Sequence, residues 1–211
     1  MPIRFDHLVV AARALDEGVA WLESRLGVPM GAGGKHDAMG THNRLLSLGP
    51  GRFLEVIAID PSAPAPDRAR WFELDTPAMR ERLVRGPFLV TWVARTDDID
   101  GAIAATGSGN CEVLSLARGD FRWRIGVPPD GSFAHAGVAP TLIQWQSHHP
   151  ADVLPDAGCR LERLVLRHPR AEATLHALRL AGLAPEDPIE AGQGPVGLEA
   201  QIRTPRGVVE I

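Results

Sequence analysis

The predicted secondary structure of this chain repeats, and an internal repeat constrains a fold more than any single motif does. Apolar residues alternate in the predicted strands and recur every three to four positions in the predicted helices. In order, the elements are a strand to residue 11, a helix over 15–26, strands over 44–48 and 52–59, a strand over 87–94, a helix over 98–106, strands over 112–116, 121–127 and 141–146, a strand over 159–167, a helix over 170–183, and strands over 198–203 and 208–211. This order predicts an α+β protein made of βαβββ units.

The repeat divides the chain into three units and one connector. The segments are a first unit over 1–60, a connector over 61–86, a second unit over 87–147 and a third, shorter unit over 159–211. The connector is rich in proline and charge, and its Trp71, Met79 and Leu83 predict a short helix that covers an edge of the sheet.

Two ionisable residues interrupt apolar strands of the first unit. His7 lies in the apolar run 5–10, and Glu55 lies 48 positions later in the run 53–57. Strand alternation predicts that Phe5 shares a face with His7, and burying such polar groups is costly without a partner. If both strands belong to one curved sheet, the imidazole and the carboxylate point into the same hollow, where they suit a divalent metal.

Aligning the units extends this pair of positions to the second copy. Thr91 falls opposite His7, and Gln144 falls opposite Glu55, 53 positions after Thr91. The alignment therefore predicts that Thr91 and Gln144 face the same hollow as the first pair.

Composition limits the partners of the chain. Its 211 residues carry a net charge of −4 and give a pI near 6.1, which offers no electrostatic case for nucleic acid or an anionic membrane. No apolar run approaches the roughly 20 residues of a membrane span, and the N-terminus does not resemble a signal peptide. We therefore expect a cytoplasmic protein in which Cys111 and Cys159 are free thiols.

A glycine-rich stretch over 31–43 follows the first helix. It carries more hydrogen-bonding groups than a connector needs, namely His36, Thr41, His42 and Asn43. Loops at the mouth of a sheet commonly carry specificity, so we expect His36, Thr41 and Asn43 to contact a substrate. The alternative is a solvated glycine-rich loop.

The second unit offers a pair of arginines on one strand. Alternation puts Arg122 and Arg124 on one face of the strand and three apolar residues on the other. The arginines either point to solvent or line the hollow, where they would bind a carboxylate or phosphate in bidentate fashion. Trp92 and Trp145 alternate out of phase with the matched polar positions, so we expect them to pack beneath the helices. His149 is expected in a solvated loop.

A βαβββ unit with histidine on its first strand and glutamate on its fourth resembles the vicinal oxygen chelate superfamily. The superfamily includes glyoxalases, extradiol dioxygenases and bleomycin-binding proteins, and this chain is most similar to its glyoxalase-like branch. The resemblance rests on the segments 6–10, 26–29, 34–43, 53–57 and 142–145. It implies curved, mixed sheets that form an open cup, with the helices on the outer face.

The resemblance also implies metal ligands on the first and fourth strands of each unit. His7 and Glu55 match that pattern, whereas the second unit offers the Gln144 amide oxygen and the Thr91 hydroxyl. Such a set would hold a hard divalent ion loosely, Mg, Mn or Ca, or a partly occupied Zn. The alternative is that His7 and Glu55 only hydrogen-bond each other as a relic pair.

The implied function is that of a glyoxalase-like enzyme acting on a small molecule as an isomerase, lyase or hydrolase. A divalent ion would act as Lewis acid, while His36 or Gln144 moves a proton. Extradiol ring cleavage is disfavoured, because the matched second histidine and any tyrosine are absent. Two rivals stay open: a metal-free binding or resistance protein that uses the same cup, and a silent relic. An unpaired third unit would be covered either by forming a homodimer or by folding onto its own chain.

Overall fold

In the computed structural model, residues 2–108 and 110–211 are described, and the predicted order of elements is present. The first unit contains β1 (Ile3–Ala11), α1 (Leu15–Leu26), β2 (Gly33–His36), β3 (Thr41–Ser47) and β4 (Phe53–Ile59). Gly27 ends α1 with a left-handed φ of 70°, as the sequence predicts for a helix followed by glycine. The glycine-rich stretch is not a free loop, because most of it forms β2 and the start of β3.

The second unit repeats this order. Its elements are β5 (Phe88–Thr96), α3 (Ile99–Thr106), β6 (Glu112–Arg118), β7 (Phe121–Val127) and β8 (Thr141–Trp145). Both units share one eight-stranded sheet of order β2-β3-β4-β1-β5-β8-β7-β6. In each half the first strand pairs in parallel with the fourth, and the antiparallel pair β1–β5 joins the halves. The result is the curved, cup-shaped mixed sheet that the resemblance implies.

The convex face of the sheet holds the larger core. Phe5, Leu8 and Trp92 project to this side and pack with Leu22 of α1 and Ile99 of α3. All five side chains are fully buried. This core therefore fixes the helices on the outer face of the cup.

The connector fills much of the concave face. It contains α2 (Pro77–Val84), with Thr76 as its N-cap. Trp71, Met79 and Leu83 are buried against concave-facing residues such as Val93. The predicted helix is thus confirmed, but it fills the hollow of the cup where the sequence placed it along an edge.

The third unit has the predicted element order but a different strand pairing. It contains β9 (Arg160–Arg167), α4 (Ala171–Leu180), β10 (Ile189–Gly192), β11 (Gly197–Thr204) and β12 (Gly207–Glu210). Its separate sheet has the order β10-β9-β11-β12, so β9 pairs in parallel with the second strand of the unit and not with the fourth. Its apolar side chains join the convex-side core, which means that the unit folds onto its own chain.

Cys111 and Cys159 are free thiols, as predicted.

Candidate active site

A β-bulge in β1 creates the polar centre of the cup. Phe5 pairs with Ala94 and His7 with Val93, so Asp6 is an extra residue opposite one step of β5. Phe5 therefore points to the convex core, whereas Asp6 and His7 both point to the concave side. The prediction that Phe5 and His7 share a face is wrong because regular alternation stops at the bulge.

The third unit holds this bulge in place. The buried Asp187 accepts a hydrogen bond from the Phe5 backbone N–H at 2.7 Å through Oδ2. Its Oδ1 accepts from the Arg52 guanidinium, also at 2.7 Å. Because β4 pairs with β1 only from His7 onward, the Phe5 N–H lies outside that pairing, and a carboxylate 182 positions away satisfies it.

Asp6 is a fully buried carboxylate at the centre of a hydrogen-bond network. Its Oδ1 lies 2.6 Å from His7 Nδ1, and its Oδ2 accepts from Trp145 Nε1 at 3.1 Å and from His149 Nε2 at 2.9 Å. Burial raises the pKa of Asp6, but the hydrogen bonds from His149 and His7 outweigh it and hold the pKa well below its ordinary value. Asp6 is therefore ionised and fixes the orientation of His7.

His149 supports Asp6 with a defined tautomer. Its Nδ1 accepts the backbone N–H of Ala151 at 3.1 Å, so the neutral ring carries its proton on Nε2, which faces Asp6. The sequence placed His149 in a solvated loop, but its side chain is only 13% exposed.

His7 presents its second ring nitrogen to Glu55. The distance from His7 Nε2 to Glu55 Oε2 is 3.7 Å, and both residues are buried. The imidazole also stacks on Phe53, with ring centroids 4.2 Å apart and an angle of 15° between the planes. The structure thus brings together the two residues that the sequence paired, and it adds Asp6 behind them.

Asn43 connects Glu55 to an arginine of the second half. Its Nδ2 donates to Glu55 Oε1 at 2.5 Å, and its Oδ1 accepts from Gly34 N and from Arg118 Nη1, both at 2.9 Å. Asn43 is 4% exposed. The amide is held by these protein partners, and its predicted contact with a substrate stays a prediction.

His36 is a buried, neutral imidazole at the end of β2. Burial is the largest cause, and the charge of Arg118 the second, of a fall in the pKa of His36 to about 3. Its Nε2 lies 3.2 Å from Arg118 Nη1, and a guanidinium can only donate, so the neutral ring carries its proton on Nδ1. That nitrogen lies 3.0 Å from the hydroxyl of the buried Thr41, which orients the ring.

These side chains line a small cavity. The cavity has a volume of about 40 Å³, which is enough for a few water molecules. One wall is polar, and the remainder is apolar and aromatic. The residues that line the cavity include His7, His36, Asn43, Glu55, Arg118, Trp71, Trp123, Ile143 and Trp145.

Two of the predicted site residues in the second unit lie outside this cavity. The Gln144 amide faces α3, where it donates to Asp97 O at 2.7 Å and contacts Ile99 N and Arg124. The Thr91 hydroxyl donates to Gly137 O at 3.1 Å. The predicted placement of Gln144 is wrong, because the alignment shifted the phase of β8 by one residue and the amide lies on the convex side. Thr91 pairs with Val9 of the concave-side core, but its hydroxyl is bound to Gly137 O and it does not line the cavity.

The same correction applies to the aromatic and basic residues of β7 and β8. Trp92 packs beneath the helices as expected, but Trp145 lines the cavity. Arg124 forms an ion pair with Asp100 of α3 at 2.9 Å, and Arg122 donates to the carbonyls of Gly119 and Phe121. Neither arginine lines the cavity, so the outward alternative is the one that the structure shows.

Three site residues were not singled out from the sequence: Asp6, Trp145 and Arg118. Asp6 had a readable signal, since two adjacent polar residues inside an apolar strand indicate a bulge. Arg118 continues the concave face of Leu114 and Leu116, so a charge follows two apolar residues on one face of β6. Asp6 and Arg118 are recognised from the sequence only when strand phase and burial are considered together.

The donor set does not fit a tightly bound divalent ion. Among residues 2–108 and 110–211, no three His, Cys, Asp or Glu side chains are grouped so that they could hold a metal. His7 and Glu55 supply two donors, but the facing concave positions of β8 are Ile143 and Trp145. Catalytic zinc sites usually take three protein ligands.

A family model described as a glyoxalase-like domain matches residues 5–182 of the chain. A search of curated proteins returned no match. Within the described part of the chain, no helix is long and apolar enough to cross a membrane.

Solved structures with a similar fold come from several proteins. A hypothetical protein from Staphylococcus aureus is 14% identical, with 93% of this chain and 88% of that chain covered and a TM-score of 0.61. Methylmalonyl-CoA epimerase from Mycobacterium tuberculosis is 16% identical, with 68% and 87% covered and a TM-score of 0.43. A methylmalonyl-CoA epimerase in complex with methylmalonyl-CoA is 16% identical, with 71% and 100% covered and a TM-score of 0.42.

Proposed function

Because this chain belongs to the glyoxalase-like domain family, we propose that its cavity is an active site that moves a proton on a small carbonyl compound. The reaction class is isomerisation or a related lyase reaction. The observation that carries the proposal is the line Asp6, His7 and Glu55, in which a buried carboxylate orients an imidazole toward a second carboxylate.

Glu55 and His7 form an acid and base pair in this proposal. Glu55 Oε2 takes a proton from the carbon next to the carbonyl group, so the C–H bond breaks and its electron pair forms an enolate. When His7 is protonated, its Nε2–H points toward the same space and returns a proton to the enolate carbon. The pair then resets when a water molecule in the cavity relays the proton from Glu55 to His7, because the 3.7 Å between Oε2 and Nε2 is too long for direct transfer.

Asp6 and Asn43 are positioning residues for this pair. Asp6 holds His7 Nδ1, which leaves Nε2 as the nitrogen that faces the substrate. Asn43 holds Glu55 Oε1, which leaves Oε2 as the reactive oxygen. The small volume between the aromatic walls leaves room for only a few waters, which strengthens these interactions.

His36 and metal ions have smaller roles in this proposal. With a pKa of about 3, His36 is a weak base, so we assign it the task of holding Arg118. A divalent ion bound loosely by His7 and Glu55, whether Mg, Mn, Ca or Zn, is not required. Activity measured with and without EDTA tests this point, and we expect no difference.

The test is solvent deuterium exchange, which detects removal of the α-proton whatever product is formed. A panel of 2-oxo acids, 2-hydroxy acids, branched acyl thioesters and lactones is incubated with the protein in D₂O, and loss of the α-proton signal is followed by NMR. We expect catalysed exchange for at least one class. Glu55→Gln should slow it by about 10²- to 10⁴-fold, the usual contribution of a general base.

The matched control is Glu190→Gln, which removes a carboxylate from a surface pair with Arg163. It should leave the exchange rate unchanged. Exchange that persists in Glu55→Gln would contradict the proposed chemistry.

The second candidate is the metal-free binding protein. The three tryptophans in the cavity wall, Trp71, Trp123 and Trp145, favour it, because aromatic walls suit tight capture of a ligand. Saturable binding of a panel compound without any deuterium exchange would support this alternative.

A further inference from the structure

Arg118 separates the cavity from a second, larger space. An outer groove with a volume of about 430 Å³ lies beyond it. The cavity and the groove share Leu45, Arg118 and Pro150 in their walls. A ligand that enters the cavity from the groove therefore passes the Arg118 guanidinium.

Arg118 is held in place without an acidic partner. Among the described residues it makes no ion pair, and it donates only through Nη1, to Asn43 and His36. Its Nε and Nη2 thus have no acceptor in the part of the chain that the structure describes, although burial disfavours the charged form and lowers the pKa of Arg118. The outward-facing Arg124, by contrast, is paired with Asp100 through both terminal nitrogens.

The backbone of β2 leaves space for this arrangement. A Cβ atom on Gly34 would lie 2.6 Å from Arg118 Cδ, closer than real Cβ contacts allow. Gly34 has no left-handed φ, so backbone conformation does not require glycine there. The need for glycine comes from the arginine that lies against it.

The two charged groups of the site, Glu55 and Arg118, lie at different depths in the cavity. Glu55 lies inside the cavity, and Arg118 lies at its mouth, with the single amide of Asn43 between them. An anion bound deep in the cavity would be repelled by Glu55, whereas one at the mouth would complete the unused edge of Arg118. A carboxylate is planar and matches the paired donors of a guanidinium edge.

We propose that the substrate is a small organic acid whose carboxylate binds the Nε and Nη2 edge of Arg118, with its α-carbon directed toward Glu55 and His7. This inference deepens the proposed function and rests on it. The substituent of the acid lies in the outer groove against apolar residues such as Phe121, Val153 and Leu154.

Tryptophan fluorescence measures binding, because Trp71, Trp123 and Trp145 line the cavity. The probes are a series of straight-chain carboxylates from acetate to octanoate at neutral pH, their primary amides, and inorganic phosphate. We expect saturable changes with the carboxylates and affinities at least about tenfold weaker for the amides, which lack the charge. Affinity should rise by up to about fourfold per methylene as the tail fills the groove.

Three variants assign the effect to Arg118. Arg118→Gln should remove the preference for carboxylate over amide. Gly34→Ala keeps the charge but displaces the guanidinium, so it should weaken carboxylate binding in the native background and not in Arg118→Gln. The control Arg122→Gln loses the same charge from the adjacent strand, outside the cavity, and should bind as the native protein does. Thermal unfolding of each variant identifies any loss of folding.

The outcomes separate this inference from the proposed function. Unchanged carboxylate preference in a folded Arg118→Gln variant, or phosphate binding more tightly than every carboxylate, would overturn the inference. If deuterium exchange is then still lost in Glu55→Gln, the proton-transfer function stands without it. If carboxylate binding depends on Arg118 but Glu55→Gln exchanges normally, the anion site stands and the function falls.

Discussion

The two halves of the eight-stranded sheet have the same topology but opposite chemistry. At the concave positions of β1 to β4, the first half places His7, His36, Asn43 and Glu55. On the corresponding strands of the second half, the concave residues include Val93, Trp123, Ile143 and Trp145. Among the residues of this half that line the cavity, Arg118 is the charged one. One half thus supplies most of the polar groups of the cavity, and the other supplies mainly apolar and aromatic side chains.

This difference teaches that the shared fold places eight strands but does not decide which side chains enter the cup. A single bulge in β1 adds Asp6 to the concave face of the first half. The matched polar positions of the second half, Thr91 and Gln144, hydrogen-bond to backbone groups away from the cavity. Local strand phase therefore decides which side chains of the two similar halves line the cavity.

The largest expected effect comes from Asp6, the centre of the polar half. Asp6→Asn leaves His7, His149 and Trp145 with an amide in place of a carboxylate. We expect deuterium exchange to fall by about 10²-fold or more, and the free energy of unfolding in urea to fall by about 3 kcal/mol, as when a buried charged network is broken. The control Asp100→Asn, in an exposed ion pair of the other half, should change stability by less than about 1 kcal/mol. Similar losses in both variants would remove the contrast between the halves.

The second effect is a pH dependence that belongs to the polar half. The pKa of His36 is about 3 in the folded protein against 6.5 as its ordinary value, so the unfolded state binds the extra proton between these values. The free energy of unfolding should therefore fall as pH drops from 6.5, by up to about 1.4 kcal/mol per pH unit. His36→Gln should lessen this slope, whereas His176→Gln on the exposed face of α4 should not.

Urea unfolding between pH 6.5 and pH 4.5 measures this slope without interference from Asp6. The pKa of that carboxyl is lowered, so its contribution to stability is present above its ordinary value of 3.8 and is lost only below it. Equal slopes in native protein and His36→Gln would show that His36 does not titrate as the geometry implies.

The smallest expected effect tests the apolar half with two adjacent residues. Gln144→Glu adds a charge on the convex side, beside Arg124, and should change stability by less than about 0.5 kcal/mol and leave exchange unchanged. Trp145→Phe removes one donor to Asp6 and should lower the free energy of unfolding by about 1 kcal/mol. A tenfold gain in metal affinity in Gln144→Glu would instead support the alignment that put Gln144 in the cup.

The sequence predicted the fold because each element carries its own local signal. The alternation that marks the strands, the helix end at Gly27 and the repeated order all depend on neighbouring residues, and the structure contains these elements in that order. The pairing of His7 with Glu55 also held, since it needed only the first and fourth strands of one unit to lie side by side.

The remainder of the site depends on local departures from regular strand alternation. A bulge changed the phase at Asp6, and a phase error of one residue exchanged the faces of Gln144 and Trp145. Arg118 was missed because a charged residue at the end of a strand normally points to solvent. Its inward position depends on Gly34, a residue of the other half that the linear sequence does not connect to it.

The contact between Asp187 and the Phe5 N–H has a consequence for how the site matures during synthesis. Every residue that lines the cavity has been made once the ribosome passes Pro150. The carboxylate that holds the bulge of β1 emerges later, 182 positions after the backbone group it binds. Because synthesis proceeds from the N-terminus, the side chains that line the cup are all made before Asp187, and a carboxylate of the third unit then completes the hydrogen bonding at the bulge of β1.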